Sequence, residues 1–311
     1  MDAAAFASKI RSAFAHCSLG AWPTPLDVAP ALARASGAAE LWLKREDLAG
    51  GNKVRGLEFL LADARPGTVF VTVGGTGSSH CLATAIHARR LGARIVLAQF
   101  PQRETDASRA VADATTRAAD LVVHARSQLT LPWAVLRALA RARRLGGGSP
   151  RWIPGGGAHP RAVVGHLLAT LELSAQIDRP PDAIVAPLGT GGTAAGILVG
   201  LAYLGWPTRL VAVRVAPRFV ANNWRTTRLA RATIRHLEGQ VDQFRMPRSA
   251  FRLEVVDGLG AGYGEPSPAG ERARLVAAGQ GLRLDPTYGA KAFAEIPAQQ
   301  RVVFWNTFAW P

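Results

Sequence analysis

Lysine is scarce in this 311-residue sequence: of 37 basic residues only Lys9, Lys44, Lys53 and Lys291 are not arginine. Each lysine is therefore a candidate for chemistry that arginine cannot perform, since an amine can shed its proton and attack an aldehyde whereas a guanidinium stays protonated. The two cysteines, Cys17 and Cys81, exclude a disulfide scaffold. The opening stretch Met-Asp-Ala-Ala-Ala-Phe-Ala-Ser-Lys lacks the basic-then-apolar order of a signal peptide, so a reduced, cytoplasmic setting is expected. No His/Cys set has metal-ligand spacing, no Gly-x-Ser-x-Gly elbow occurs, and no glycine loop ends in Lys-Ser/Thr. These absences argue against a zinc site, a serine hydrolase and a P-loop nucleotidase, and no metal is expected.

Charge is missing from residues 183–208, a span long enough to cross a bilayer. Pro187 and the glycines at 189, 191, 192, 196 and 200 divide it, however, into a buried strand, a loop and a helix, so no membrane association is expected. Elsewhere positive charge is in excess, with a net +15. The arginines are dispersed, denser only near residues 137–144 and 225–235, and no aromatic residues interleave with them as a stacking platform for nucleic acid requires. The excess instead suits attraction of small anionic ligands.

With 48% hydrophobic residues and a mean hydropathy near zero, the chain can fill one or two cores, at about 100–200 residues per domain. Phe6, Ile10 and Phe14 predict an N-terminal helix. The prolines at 23 and 25 force extended backbone. Residues 41–43 read as a strand leaving into a polar turn, 57–64 as a helix, 69–73 as a buried strand, 81–91 as a helix and 95–98 as a second buried strand. Residues 106–145 read as helical around a strand at 120–124. Residues 146–150, Gly-Gly-Gly-Ser-Pro, form the strongest linker signal. Strands at 152–153, 183–186 and 210–215 alternate with helices at 162–177 and 194–204, and 217–252 is arginine-rich and helical. Such alternation implies right-handed crossovers and parallel sheets, with ligands bound beyond the carboxyl ends of the strands.

The glycine clusters fall at those ends. Gly189, Thr190, Gly191, Gly192 and Thr193 lie between strand and helix, where backbone N–H groups, two hydroxyls and a helix dipole can cradle a phosphate. Such loops also bind dinucleotides or the methionyl cofactor of methyltransferases. No acidic residue follows about twenty positions on to hold a dinucleotide ribose, so a phosphate monoester fits better. A second loop, residues 74–80, presents Ser78, Ser79 and His80, and its serines equally suit a helix N-cap. Of three tyrosines, Tyr263 and Tyr288 sit in turns.

Taken in order, Lys44-Arg45-Glu46-Asp47, Gly50-Gly51-Asn52-Lys53, Gly74-Gly75 with Ser78 and His80, Ile153-Pro154-Gly155-Gly156, Gly189-Thr190-Gly191, Tyr263-Gly264 and Leu284-Asp285-Pro286-Thr287-Tyr288 resemble the pyridoxal-phosphate enzymes that include D-cysteine desulfhydrase and 1-aminocyclopropane-1-carboxylate deaminase. The resemblance runs from about residue 20 to the C-terminus. It implies an α/β chain of fold type II with two domains, each a mainly parallel sheet flanked by helices: residues 1–50 and 161–311 as the large, cofactor-binding domain and 51–160 as a small inserted one. It also implies that Lys53 holds the aldehyde of pyridoxal phosphate beside Asn52, that Gly189, Thr190, Gly191, Gly192 and Thr193 take the phosphate, and that Ser79 and Thr307 meet the cofactor ring. Ser78, Ser79, His80 and Gly156 would meet the substrate, and Ser78, Tyr263 and Tyr288 would join Lys53 in catalysis.

Departures from the family pattern cluster at the same places. Gly77-Ser78-Ser79-His80 replaces Gln-Ser-Asn-His, Gly56 replaces a second lysine, Gly289 replaces the glutamate that follows the tyrosine in the deaminase, and Asn306-Thr307-Phe308-Ala309 replaces His-Thr-Gly-Gly. With a hydroxyl in place of a carboxylate near the cofactor, the expectation is a cytoplasmic homodimer that performs β-elimination on a small amino acid, giving a keto acid and ammonia. The alternatives are cyclopropane ring opening and, in another class, a non-catalytic partner in a biosynthetic assembly.

Overall fold

Branched apolar runs bounded by glycine or proline become strands, and the alanine-rich stretches between them become helices. The computed structural model describes residues 2–146, 148–246 and 250–311. Helix α1 (Ala3–Ala13), capped by the Asp2 carboxylate, precedes strand β1 (Leu26–Val28), helix α2 (Pro30–Ser36) and strand β2 (Glu40–Arg45). Helix α3 (Lys53–Leu60) leads into β3 (Val69–Gly75), α4 (Ser79–Arg90), β4 (Arg94–Phe100), α5 (Asp106–Ala118), β5 (Leu121–His124), α6 (Leu131–Leu145) and β6 (Arg151–Trp152). Then come α7 (Pro160–Ser174), β7 (Ala183–Leu188), α8 (Gly192–Leu204), β8 (Arg209–Arg214), α9 (Asn223–Gln240) and β9 (Leu253–Asp257). Helices α10 (Pro268–Ala278) and α11 (Gly289–Phe293) and strand β10 (Arg301–Asn306) complete the chain.

The strands form two sheets, ordered β1-β2-β10-β7-β8-β9 and β5-β4-β3-β6. Among the described residues only β1 runs antiparallel to its neighbour. Both sheets are covered on both faces, and the two-residue period of a strand sorts their side chains. Ile184, Ala186, Leu210, Ala212, Val303 and Trp305 pack with α1, α7, α8 and α9. Their neighbours Ala183, Val185, Val211, Val213, Val302 and Phe304 pack with α2, α10 and α11 on the other side. In the four-stranded sheet Phe70, Ile95 and Leu97 meet α3 and α4, while Val71, Val96 and Ala98 meet Ala134, Ala138 and Ala142 of α6.

Helix α3 joins the two layers: Val54, Leu57 and Leu61 belong to the core of the small sheet and Phe59 to that of the large one. It lies so close to α7 that a Cβ added at Gly165 would stand 2.1 Å from the Arg55 carbonyl oxygen. Gly56 faces Ala162, with 3.1 Å for an added Cβ, so a side chain at this position would require α7 to give way.

Several sequence-based boundaries move. The helix expected at 57–64 begins at Lys53, because Arg55 turns into a buried ion-pair cluster and so hides the apolar period. The expected linker at 146–150 joins α6 to β6 within one sheet, and its Gly147 lies outside the described residues. Strands β9 and β10 were not expected, and β10 occupies the middle of the large sheet. The uncharged span becomes β7 and α8, and no helix among the described residues is long and apolar enough to cross a membrane.

Candidate active site

Parallel strands deliver their following loops to one end of a sheet, and here the loops after β2, β3, β6, β7, β8 and β10 converge on a cavity of about 330 Å³. Every candidate residue named from the sequence lines it: Asn52, Lys53, Ser78, Ser79, His80, Gly156, Gly189, Thr190, Gly191, Gly192, Thr193, Tyr263, Tyr288 and Thr307.

Lys53 opens α3. Burial pushes its amine down from 10.5 to about 8, because a low-dielectric setting penalises the charged form. Among the described residues no carboxylate pairs with it, and no acidic side chain lines the cavity. Asn52 is anchored by its backbone, whose N–H donates to the Thr307 carbonyl at 3.1 Å, and its side-chain amide donates to Thr193 Oγ1 at 2.6 Å. These bonds tie the lysine loop to both the C-terminal segment and the start of α8.

Gly191 takes the left-handed conformation, φ 89°, which turns the chain from β7 into α8 without a side-chain cap. The first-turn amides of α8 are thus left without intrahelical partners. A side chain at Gly189 would stand in open space, and the Thr190 hydroxyl is buried without a hydrogen-bond partner. Gly156 approaches Thr190 so closely that an added Cβ would lie within 2.3 Å of Oγ1. Unfilled donors, an orphaned hydroxyl and open space at a helix N-terminus suit a phosphate group. An unpaired, partly neutral amine across the same cavity suits an aldehyde.

Ser78 is the N-cap of α4, accepting from the Cys81 amide at 3.3 Å, so the capping role and the cavity position coexist. Ser79 follows on the first turn, half-buried. His80 is committed: its Nε2 shares a 3.0 Å hydrogen bond with Thr72 Oγ1. Burial and then the nearby Lys53 charge push the ring down to about 3, leaving it neutral. The Tyr263 and Tyr288 hydroxyls meet at 2.5 Å. Burial raises Tyr263 to about 12 and Tyr288 well above its ordinary value, so both are neutral donors near pH 7.

The departures from the family pattern have visible occupants. At Gly77 an added Cβ would strike Ser108 at 2.5 Å and Gln102 Nε2 at 2.6 Å. At Gly289 it would lie 3.1 Å from Asp285 Oδ2. Asp285, buried and raised by that burial to about 6, accepts from the Thr287, Tyr288 and Gly289 amides and does not line the cavity. Glu265 is paired loosely with Arg103 at 3.8 Å.

Sequence reasoning missed the support beneath Lys53. Arg55 is buried between Glu46 and Glu172, with 2.7 and 2.9 Å contacts, and its guanidinium lies 3.9 Å from the Trp22 ring centroid. The Lys44-Arg45-Glu46-Asp47 motif was the available signal. It also missed the mouth residues Phe219 and Leu131, which come from segments without motif character.

A Pyrococcus furiosus protein provisionally named 1-aminocyclopropane-1-carboxylate deaminase is 32% identical over 292 residues, 91% of this chain and 86% of that protein. The crystal structure of an ACC deaminase homologue superposes with a TM-score of 0.80 at 28% identity, covering 96% of this chain and 94% of the other. The processed form of threonine deaminase isoform 2 from Solanum lycopersicum shares the fold, with a TM-score of 0.67 at 17% identity over 99% of this chain and 89% of that one. The model of the family described as pyridoxal-phosphate dependent enzyme matches residues 17–306, and the chain belongs to that family.

Proposed function

We infer that this pyridoxal-phosphate enzyme is a lyase that eliminates a substituent from the β-carbon of an amino acid, releasing ammonia and a keto acid. The observation that carries the reading is the Lys53 amine, unpaired with any carboxylate among the described residues, in a cavity that also holds the α8 N-terminus and a paired set of phenols. Lys53 would hold the cofactor's aldehyde carbon. The α8 first turn with Gly189, Thr190, Gly191 and Thr193 would hold its phosphate, and Thr307 would meet its ring nitrogen. When bound, the cofactor would supply an electron sink for the pair left at Cα.

The protein's own groups do the rest. Ser78, Ser79 and the α4 N-terminus offer hydroxyl and amide donors to the substrate carboxylate. The Lys53 amine, lowered by burial to about 8, is matched to taking the Cα proton near neutral pH. The Tyr263–Tyr288 pair would donate a proton to a departing group, since burial keeps both hydroxyls protonated.

Ring opening of a cyclopropane amino acid is the second reading, favoured by the provisional name of the Pyrococcus furiosus relative. A ring-nitrogen carboxylate would strengthen the electron sink that reaction needs. Here Gly289 stands at the glutamate position and Asp285 is held by three backbone amides, which supports elimination instead. Incubating the holoenzyme with β-chloroalanine, D-cysteine, L-cysteine and 1-aminocyclopropane-1-carboxylate tests the choice. Pyruvate from the first three is expected. Efficient 2-oxobutyrate release from the cyclopropane would overturn it.

A further inference from the structure

The cavity divides by chemistry. Polar groups lie at Lys53 and the two helix N-termini, and much of the rest of the lining is apolar, with Val73, Phe100, Leu131, Phe219, Val220 and Phe308. Among the described residues no charged side chain but Lys53 lines it, and its amide side chains are Asn52, already bonded to Thr193, and Gln128 at the α6 end. Phe100 lies 6.3 Å from the Tyr263 ring, centroid to centroid, so the apolar wall begins directly beside the phenol pair. It continues outward to Leu131, at the start of α6, and to Phe219, between β8 and α9. Phe219 lines the cavity while remaining 73% exposed, which places it at the mouth. The apolar lining therefore includes one ring beside the phenols and another open to solvent.

An amino-acid substrate has three substituents on its reacting carbon to place. The amine must be at Lys53, and the carboxylate is best satisfied by the Ser78 and Ser79 hydroxyls. The side chain is left with the apolar wall. We propose that the site selects amino acids whose side chain carries an apolar group of several carbons, with Phe100, Leu131 and Phe219 setting that specificity. This rests on the β-elimination reading only for the identity of the leaving group, which becomes an apolar thiol. In an S-alkyl or S-aryl cysteine the Cα–H and Cβ–S bonds break. The proton passes to Lys53, the sulfur leaves with the bonding pair and takes a proton, and water then releases ammonia and pyruvate. No oxidant or reductant is consumed. A polar or charged side chain would instead lose its hydration against phenyl and isobutyl groups.

An apolar pocket discriminates about tenfold or more per added methylene. Calorimetry on the holoenzyme should therefore show norleucine and phenylalanine, which have no leaving group, binding at least tenfold more tightly than alanine or serine. S-benzylcysteine should exceed cysteine at least tenfold in kcat/KM, chiefly through KM. Phe219→Asp is at an exposed position and should fold. It should reduce both ratios severalfold, and Leu131→Asn, measured alongside, should do the same. Tighter binding of the apolar ligands without elimination from any substrate supports the selectivity and removes the β-elimination reading. Elimination from β-chloroalanine and cysteine with no gain in binding or kcat/KM on adding apolar carbons overturns the selectivity and leaves that reading standing. Equal binding of all four ligands together with no elimination overturns both.

Discussion

Lys44 and Lys53 are two of the four lysines in the chain, nine residues apart, and both have amines drawn below their ordinary value by burial. Their surroundings differ completely. The Lys44 amine, fully enclosed, donates to the Thr24 carbonyl at 2.9 Å, to Gln176 Oε1 at 2.8 Å and to the Glu172 carboxylate. The Glu172 charge raises Lys44 against the burial that lowers it. Burial raises Glu172 in turn, but the Arg55 hydrogen bond and charge hold it below the usual carboxylate range. The pair is charged and structural. Lys53 has no such partner among the described residues and faces a cavity. A buried amine with saturated donors supports the fold, while one left unsatisfied before open space is available for covalent chemistry. Lys291 differs from both: its Nζ donates to the Leu259 carbonyl at 2.8 Å and it does not line the cavity.

That contrast predicts opposite phenotypes. Lys53→Ala should abolish the visible absorbance of the bound cofactor and lower turnover by several orders of magnitude, with a cooperative unfolding transition retained. Lys44→Met should instead destabilise the fold by roughly 3 kcal/mol, the low end for an unpaired buried charge because Arg55 still neutralises Glu172, while purified folded enzyme keeps its absorbance. Denaturant unfolding and a visible spectrum distinguish the two, and similar loss of stability in both variants would erase the distinction. Thr193→Val removes the acceptor of the Asn52 amide and one hydroxyl of the proposed phosphate cradle. Cofactor retention in dialysis should weaken by roughly 1.5–3 kcal/mol, the range for hydrogen bonds to charged groups, and unchanged retention would mean the phosphate lies elsewhere.

The last effect is on pH dependence. Unfolded, Lys53 titrates near 10.5, and folded near 8, so between those values the unfolded chain binds more protons and stability rises with pH. In cofactor-free protein this contribution approaches about 1.4 kcal/mol per pH unit at most, and Lys53→Met should flatten it. Chemical denaturation between pH 7.5 and 10.5 reads the slope, and identical slopes in the two proteins would remove the case for a depressed amine.

Much of this arrangement was legible in the sequence because the site is made of loops with strong local signatures. Gly191 must be glycine for its backbone angle, Ser78 reads as a cap, and Lys53 stands out against an arginine-rich background. Strand β7 was visible as an uncharged branched run and β8 as a branched run between Arg209 and Arg214. Strand β10 carries a similar apolar run, Val302–Trp305, but its place between β2 and β7 depends on a long-range pairing, Trp305 opposite Lys44, that no local period encodes. Helix α3 hid its start for the converse reason: Lys53 and Arg55 are polar residues pointing inward, one to a cavity and one to two carboxylates. The apolar mouth was equally hidden, because Phe219 and Leu131 acquire a role only when segments from the two sheets meet.

Borohydride reduction of the purified holoenzyme followed by peptide mass spectrometry tests the central claim most directly. The account predicts a reduced pyridoxyl phosphate adduct on Lys53 and unmodified Lys44 and Lys291. A label on either of those two lysines, or none on Lys53 in enzyme that shows the cofactor's absorbance, would contradict it.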